Sequence, residues 1–112
     1  MSAATTVTDA TFPSTIEQHE GLALVDVWAS WCAPCRALAP TIESLARQFD
    51  GRVLVSKLDF DANPGTAERF GVRSIPTVLF FRDGALVDQM VGAQPVAAFT
   101  TRIERHLATP AS

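Results

Sequence analysis

Cysteine is scarce in this sequence: only two of the 112 residues are cysteine, at positions 32 and 35. A small secreted scaffold needs several disulfides that close long loops, so one such pair does not fit that class of protein. Long hydrophobic runs are also missing. The longest apolar stretch, residues 22–29, is interrupted by Asp26 and is far shorter than the roughly 18 residues of a membrane span. We therefore expect neither a disulfide scaffold nor a membrane anchor.

Positive charge is in short supply as well. Nine Lys and Arg against twelve Asp and Glu give a net charge of -3, which is the wrong sign for a domain that grips nucleic acid. The first eleven residues have neither a basic start nor an apolar run, so we expect no secretory signal and a cytoplasmic location. With 47% hydrophobic and 19% charged residues, the chain can form a real core, and neither disorder nor a coiled coil is expected.

Segments of two periodicities alternate along the chain. Near-continuous apolar runs at 22–28, 53–59 and 77–81 are typical of strands buried on both faces of a mainly parallel sheet. Arg82-Asp-Gly84 predicts a tight turn, after which residues 85–91 return as a hairpin partner. Apolar residues at three- and four-residue spacing predict two longer helices, one from the cysteine pair to Phe49 and one over about 95–107. Weaker signals predict a strand near 5–8 and short helices near 14–20 and 63–71.

The resulting order of elements is βαβαβαββα. Parallel strands joined by helical crossovers, followed by a hairpin, predict an α/β fold with helices on both faces of the sheet. We expect one domain over residues 1–112, with a core from about 5 to 107 and short flexible tails.

The cysteine pair lies in Trp31-Cys-Ala-Pro-Cys35, where the strand ending near Ala29 gives way to a helix. Residues at i and i+3 face each other across one helical turn, so the two sulfurs can come within bonding range. Backbone N–H groups of a first turn lack intrahelical partners and, with the helix dipole, stabilise an anion. Cys32 is therefore predicted to have a lowered pKa and to be the attacking thiolate. Cys35, one turn deeper, is the predicted resolving thiol, and Pro34 suits the first turn.

Three other interpretations of the pair remain open. A structural disulfide would close a loop of about four residues and contribute only roughly 2 kcal/mol. A zinc site would need about four ligands, and only His19 and His106 could join the cysteines as further nitrogen ligands. The pair could also be two inert core thiols. We favour the redox interpretation because strand, CxxC and helix occur together.

Asp26 is a carboxylate inside an apolar strand. Burial raises the pKa of such a group unless a partner compensates, so it can take up a proton near neutral pH. Lys57, the only lysine, lies two residues before the end of its own strand, just as Asp26 does. If these strands are parallel neighbours with aligned ends, both charges lie at similar depth beneath the cysteines. The alternative is a structural Asp with a Lys extending past it, because buried ion pairs also occur without catalysis.

Pro76, in Arg73-Ser-Ile-Pro-Thr77, stands just ahead of a predicted strand. Only about 5–6% of X-Pro bonds are cis, so the residues alone favour an ordinary trans proline at a strand entry. The whole pattern nevertheless closely resembles the thioredoxin family, over about residues 5–107. The resemblance is carried by Asp26, Trp28, Trp31-Cys-Ala-Pro-Cys35, Pro40, Lys57, Ile75-Pro-Thr77, Gly84 and Gly92.

The resemblance implies a thioredoxin fold, with a central mixed sheet of five strands and helices on both faces. It implies a protein-disulfide reductase in which Asp26, helped by Lys57, accepts or relays the proton of Cys35. It further implies that Pro76 is cis and that the Ile75 backbone pairs with an extended substrate segment. The substrate contacts that it implies are Trp31, Ala33, Pro34, Ile75, Pro76 and Gly92.

Partners also follow from the resemblance. Electrons would come from NADPH through a flavoprotein thioredoxin reductase, with no cofactor or metal bound to this chain, and the other partners would be disulfide-containing proteins. A monomer is expected. One departure is Ala33, where the commonest family members have Gly, and the extra methyl group could shift the redox potential and touch incoming partners.

Two rival functions share these residues. One is a thioredoxin-like chaperone whose apolar collar holds unfolded chains while its cysteines are incidental. The other is a thiol oxidase or isomerase of the same fold in an oxidising compartment. The missing secretory signal, and the absence of His between the cysteines, argue against the second.

Overall fold

A five-stranded mixed sheet forms the centre of the computed structural model, which describes residues 2–109. The strands are β1 (Thr5–Thr6), β2 (Leu22–Trp28), β3 (Val53–Asp59), β4 (Thr77–Arg82) and β5 (Ala85–Val91). The helices are α1 (Ala33–Gln48), α2 (Pro64–Arg69) and α3 (Val96–Ala108), and a π-helical turn spans Pro13–Glu17. The predicted α/β fold with a mixed sheet is confirmed.

Two of the weaker elements differ from expectation. The first strand is two residues long rather than four, and the helix expected near 14–20 is a single π-helical turn that starts at Pro13. Both segments are too short to have a clear periodicity, so their form depends on the sheet and core against which they pack.

The strands lie in the order β1-β3-β2-β4-β5. β3 is parallel to both β1 and β2, and β4 is antiparallel to both β2 and β5. β2 is therefore the central strand, with ladder hydrogen bonds on both edges. Its near-continuous apolar sequence suits a strand that is also covered on both faces.

Side chains alternate across the sheet and feed two cores. On one face, Leu22 and Leu24 of β2 pack with residues of α1 and α3. On the other face, Ala23, Val25 and Val27 pack with α2 and the π-helical turn. This two-residue period places Asp26 on the α1 side of the sheet, beneath the helix that follows the cysteines.

The expected tails lie only partly within the structure. Met1 and residues 110–112 are outside the described residues. Ala4 is buried in the core between the sheet and α1, and Ser2 and Ala3 both hydrogen-bond to Glu43. None of the helices between residues 2 and 109 has the length and apolar character needed to cross a bilayer.

Candidate functional site

Cys32 and Cys35 lie where the carboxyl end of β2 leads into α1, and they are joined by a disulfide. Cys32 is the N-cap of α1, with φ -90° and ψ 107°, and Cys35 lies in the first turn. Their Cα atoms are 5.2 Å apart. The Cys35 N–H donates to Cys32 Sγ at 3.2 Å. A sulfur held at a helix N-terminus and accepting a backbone N–H is well placed to carry negative charge.

Solvent exposure does not distinguish the two cysteines, because Cys32 is 4% exposed and Cys35 is 3% exposed. Their neighbours do distinguish them. Cys32 Sγ lies 3.7 Å from the carbonyl oxygen of Ile75, on the loop before β4. Cys35 instead borders a cavity beneath the first turns of α1. The two sulfurs therefore face different surroundings on opposite sides of the disulfide.

The cavity next to Cys35 has a volume of about 130 Å³. It is lined by side chains of β2, β3 and α1: Asp26, Trp28, Cys35, Arg36, Ala39, Ile42, Glu43 and Lys57. Asp26 is 5% exposed. Its Oδ1 and the Nε1 of Trp28 are both buried and have no hydrogen-bond partner within residues 2–109. A cavity bordered by an unpaired buried acceptor and an unpaired buried donor is a place where protons can be exchanged.

Burial raises the pKa of Asp26 to about 7, and the nearby charge of Lys57 acts in the opposite direction. A carboxyl group with such a pKa gains and loses its proton near neutral pH, as a general base requires. Asp26 and Lys57 are directly paired in the parallel register of β2 and β3. The two strands are aligned parallel neighbours, as the sequence led us to expect, and both side chains lie on the α1 side of the sheet.

The six residues expected to contact substrate lie on three segments around the disulfide: Trp31, Ala33 and Pro34 before and within the start of α1, Ile75 and Pro76 before β4, and Gly92 after β5. Trp31 is 63% exposed, and Ala33 and Pro34 are exposed too, whereas Pro76 is buried. The Ile75–Pro76 peptide bond is cis, as the resemblance implies. The Gly92 N–H donates to the Pro76 carbonyl oxygen at 2.8 Å, which ties the second and third segments together.

Asp61 and Glu43 also belong to the site, and the sequence interpretation missed both. Trp31 Nε1 donates to Asp61 Oδ2 at 2.7 Å, which fixes the orientation of the exposed indole ring. Asp61 follows the carboxyl end of β3, at the same edge of the sheet as Trp31 after β2. This placement could have predicted from sequence that the two side chains lie close together. Glu43 lies eight residues after Cys35 on α1, about 80° further round the helix, and both side chains border the same cavity.

Within residues 2–109, no three His, Cys, Asp or Glu side chains are grouped so that they could hold a metal ion. His106, one of the two histidines considered for zinc, lies on α3 with Nε2 2.9 Å from Asp88 Oδ2 of β5. His106 thus has a structural partner on the neighbouring strand.

Comparison with known proteins gives one consistent result. The model of the thioredoxin family matches residues 3–105. Thioredoxin 1 of a Nostoc species is 44% identical over 107 residues, covering 96% of this chain and 100% of that protein. The thioredoxin of Staphylococcus saprophyticus is 48% identical over 101 residues, covering 90% of this chain and 95% of that protein.

Family match, sheet architecture and cysteine geometry all agree. The disulfide lies at the start of α1, within the segment that the family model covers. The chain belongs to the thioredoxin family, and it is a thiol–disulfide oxidoreductase that performs dithiol–disulfide exchange through Cys32 and Cys35.

Proposed function

We propose that the protein reduces disulfides of other proteins, with Cys32 as the attacking sulfur and Cys35 as the resolving sulfur. The observation that carries this assignment is the unlike surroundings of the two sulfurs. Cys32 Sγ accepts the N–H of Cys35 and lies beside the loop of Ile75, whereas Cys35 borders the cavity that contains Asp26. The first environment stabilises a thiolate, and the second supplies a proton acceptor.

In the first step, the Cys32 thiolate attacks one sulfur of a substrate disulfide. A Cys32–substrate disulfide forms, the substrate S–S bond breaks, and the other substrate sulfur leaves as a thiolate that takes a proton from solvent. The Cys35 N–H, which donates to Cys32 Sγ, and the dipole of α1 favour the thiolate form of Cys32 before the attack.

In the second step, the Cys35 thiol loses its proton to Asp26 and attacks Cys32 Sγ. The Cys32–Cys35 disulfide forms, the mixed disulfide breaks, and the second substrate sulfur leaves as a thiolate that takes a proton from solvent. Two electrons have then passed from the dithiol to the substrate. Asp26 suits this role because its pKa is raised by burial to about 7, and Lys57, its partner in register, limits that rise.

We further propose that substrate binds as an extended segment against Ile75. No hydrogen bond within residues 2–109 uses the Ile75 N–H, so this group is free to pair with a substrate backbone. The exposed Trp31, Ala33 and Pro34 would cover its apolar side chains, with Pro76 and Gly92 forming the opposite side. The methyl group of Ala33, in this Trp-Cys-Ala-Pro-Cys variant of the motif, would then help to select substrates.

Regeneration of the dithiol is assigned to a flavoprotein thioredoxin reductase that takes its electrons from NADPH. This chain would bind no cofactor, because its two sulfurs carry the electrons. We propose that it works as a single-domain monomer in the cytoplasm, since a reductant needs a compartment in which thiols stay reduced.

Replacement of each cysteine by serine tests the assignment. Reduced Cys35→Ser, mixed with a disulfide-bonded protein such as insulin, should accumulate a stable mixed disulfide through Cys32, which peptide mapping would locate. The matched variant Cys32→Ser should form none. Trapping through Cys35 instead would reverse the roles. In an insulin-reduction assay with dithiothreitol, a wild type that suppresses the aggregation of insulin but shows no turnover would be a chaperone.

A further inference from the structure

The cavity beneath Cys35 contains a second carboxylate that the proposed mechanism does not use. Glu43 lies on α1 and lines the same cavity as Asp26 and Lys57. Lys57 is the only lysine of the chain, and its side chain lines this cavity together with the two carboxylates. How strongly the ammonium group of Lys57 interacts with each carboxylate affects how readily Asp26 takes up a proton.

Glu43 is held in place by the N-terminal segment, residues 2–7. The hydroxyl of Ser2 donates to Glu43 Oε1, and the backbone N–H groups of Ala3 and Ala4 donate to Oε2 at 2.5 and 3.3 Å. The hydrogen bond from Ser2 is the main cause that lowers the pKa of Glu43; burial opposes it, and the two N–H groups and the charge of Lys57 add to it. Glu43 is therefore ionised at neutral pH.

The same N-terminal segment is bonded to the strand that carries Lys57. In β1, Thr6 pairs with Lys57 of β3, and the Val7 N–H donates to the Lys57 carbonyl oxygen at 2.9 Å. Ala4, between these contacts and Glu43, is buried in the core. One short piece of chain therefore fixes both the backbone of Lys57 and the carboxylate of Glu43.

Few other charges face Asp26. Arg36 of α1 lines the cavity, but its guanidinium donates to the Ser30 carbonyl oxygen at 2.7 Å. On β4 the residue paired with Asp26 is the uncharged Val78. The charged side chains that line the cavity besides Asp26 are Lys57 on β3 and Arg36 and Glu43 on α1.

We propose that Glu43 is a positioning residue for the thiol chemistry: its carboxylate, held by the N-terminal segment, competes with Asp26 for the ammonium group of Lys57. This inference rests on the proposed role of Asp26 as proton acceptor. With Glu43 ionised, Lys57 is shared, and the negative charge of Glu43 also disfavours ionisation of Asp26. Asp26 then keeps its proton to a higher pH than Lys57 alone would allow.

The test is a ¹³C NMR titration of the Asp26 carboxyl group in the oxidised protein. Glu43→Gln keeps one acceptor oxygen, which can still accept from the Ala3 and Ala4 N–H groups, and its NH₂ group can donate to the Ser2 hydroxyl in the position of the other oxygen. Because the charge is removed, the midpoint of Asp26 should fall by about half a pKa unit, a roughly threefold change in its proton affinity. Glu43→Asp keeps the charge and should move the midpoint much less. In a Lys57→Met background the effect of Glu43→Gln should shrink, because the shared partner is gone.

An unchanged or raised Asp26 midpoint in Glu43→Gln would overturn the inference, as would equal shifts from Glu43→Gln and Glu43→Asp. The titration needs no turnover, so this failure is separable from failure of the proposed function. If Asp26→Asn slows release of substrate from the mixed disulfide but Glu43→Gln leaves the Asp26 midpoint in place, only the role of Glu43 is lost. If Asp26→Asn leaves that release unchanged, the proton-acceptor role fails, and the role of Glu43 with it.

Discussion

Asp26 and Lys57 are paired in register on neighbouring parallel strands, yet no ion pair within 4 Å joins their side chains in the part of the chain that the structure describes. Asp26 Oδ1 is buried without a hydrogen-bond partner there. A carboxylate in close contact with an ammonium group would have a lowered pKa, whereas the pKa of Asp26 is raised to about 7. The separation of this pair thus keeps Asp26 able to accept a proton at neutral pH.

Asp26→Asn should slow the resolving step and leave the attacking step largely unchanged. The amide cannot accept the Cys35 proton, so resolution at pH 7 should fall on the order of 10²-fold, the lower end of what a positioned base contributes. Resolution can be followed by thionitrobenzoate release from a preformed mixed disulfide on Cys32. Attack can be followed separately, with Asp26→Asn added to the Cys35→Ser variant. Equal slowing of both steps would remove the proton-acceptor role.

Asp26 should also make stability depend on pH. Its folded pKa of about 7 lies above the ordinary value of 3.8, so the folded state holds a proton that the unfolded state releases between these values. The contribution of Asp26 to the free energy of unfolding should therefore fall as pH rises from about 4 to 7, by roughly 4 kcal/mol in total for a shift of about three units. Asp26→Asn has no such group to titrate.

Guanidinium unfolding of oxidised wild type and Asp26→Asn across pH 4 to 8 measures this effect. Relative to the wild type, the variant should gain stability as pH rises to about 7 and show a constant difference above it. Asp50→Asn, at an exposed position, controls for the general loss of one negative charge. A difference between Asp26→Asn and wild type that does not change with pH would contradict the raised pKa.

The long elements could be predicted from sequence because packing and periodicity coincide in them. β2 and β3 have the predicted bounds, Leu22–Trp28 and Val53–Asp59. Both are apolar runs, and both contribute side chains to the cores on the two faces of the sheet. The π-helical turn at Pro13–Glu17 could not be predicted in form, because five residues contain little periodicity and its shape depends on packing against the β4–β5 turn and the core.

The site was predictable to a similar extent. The pairing of Asp26 with Lys57 followed from strand ends, which the sequence marks clearly. The role of residues 2–4 did not, because hydrogen bonds from Ser2 and Ala3 to Glu43 join segments about 40 residues apart with no local pattern. The equal burial of Cys32 and Cys35 was also hidden, since it depends on how the loop of Ile75 folds over the disulfide.

Asp88 should fasten β5 to α3. Its Oδ2 accepts from Arg102 Nη1 and His106 Nε2, both at 2.9 Å. Burial acts to raise the pKa of Asp88, but the hydrogen bonds from His106 and Arg102 outweigh it and lower the pKa. Asp88→Asn should therefore cost about 1 kcal/mol at pH 7.

The pH dependence distinguishes this interaction from simple packing. Because the folded pKa of Asp88 is lowered, its contribution is complete above the ordinary value of 3.8 and is lost as pH falls below it. The gap in unfolding free energy between wild type and Asp88→Asn should close in acid, while Glu104→Gln on the exposed side of α3 should show little effect. A gap that persists unchanged to pH 2.5 would refute the ionic contribution.

Gly84 should be far less tolerant of alanine than Gly51, although their backbones are nearly alike. Their φ angles are +84° and +82°, so both substitutions incur the cost of a left-handed conformation, about 1 kcal/mol. A Cβ on Gly51 would meet no atom within 4 Å, whereas one on Gly84 would lie 2.2 Å from the Glu17 carbonyl oxygen. The β4–β5 turn therefore packs directly on the backbone of the π-helical turn.

Gly84→Ala should cost about 3 kcal/mol, because backbone must move to relieve the clash, and urea unfolding of both variants gives the comparison. Equal losses at the two positions would show that Gly84 is required only for its φ angle and that the two turns do not pack tightly.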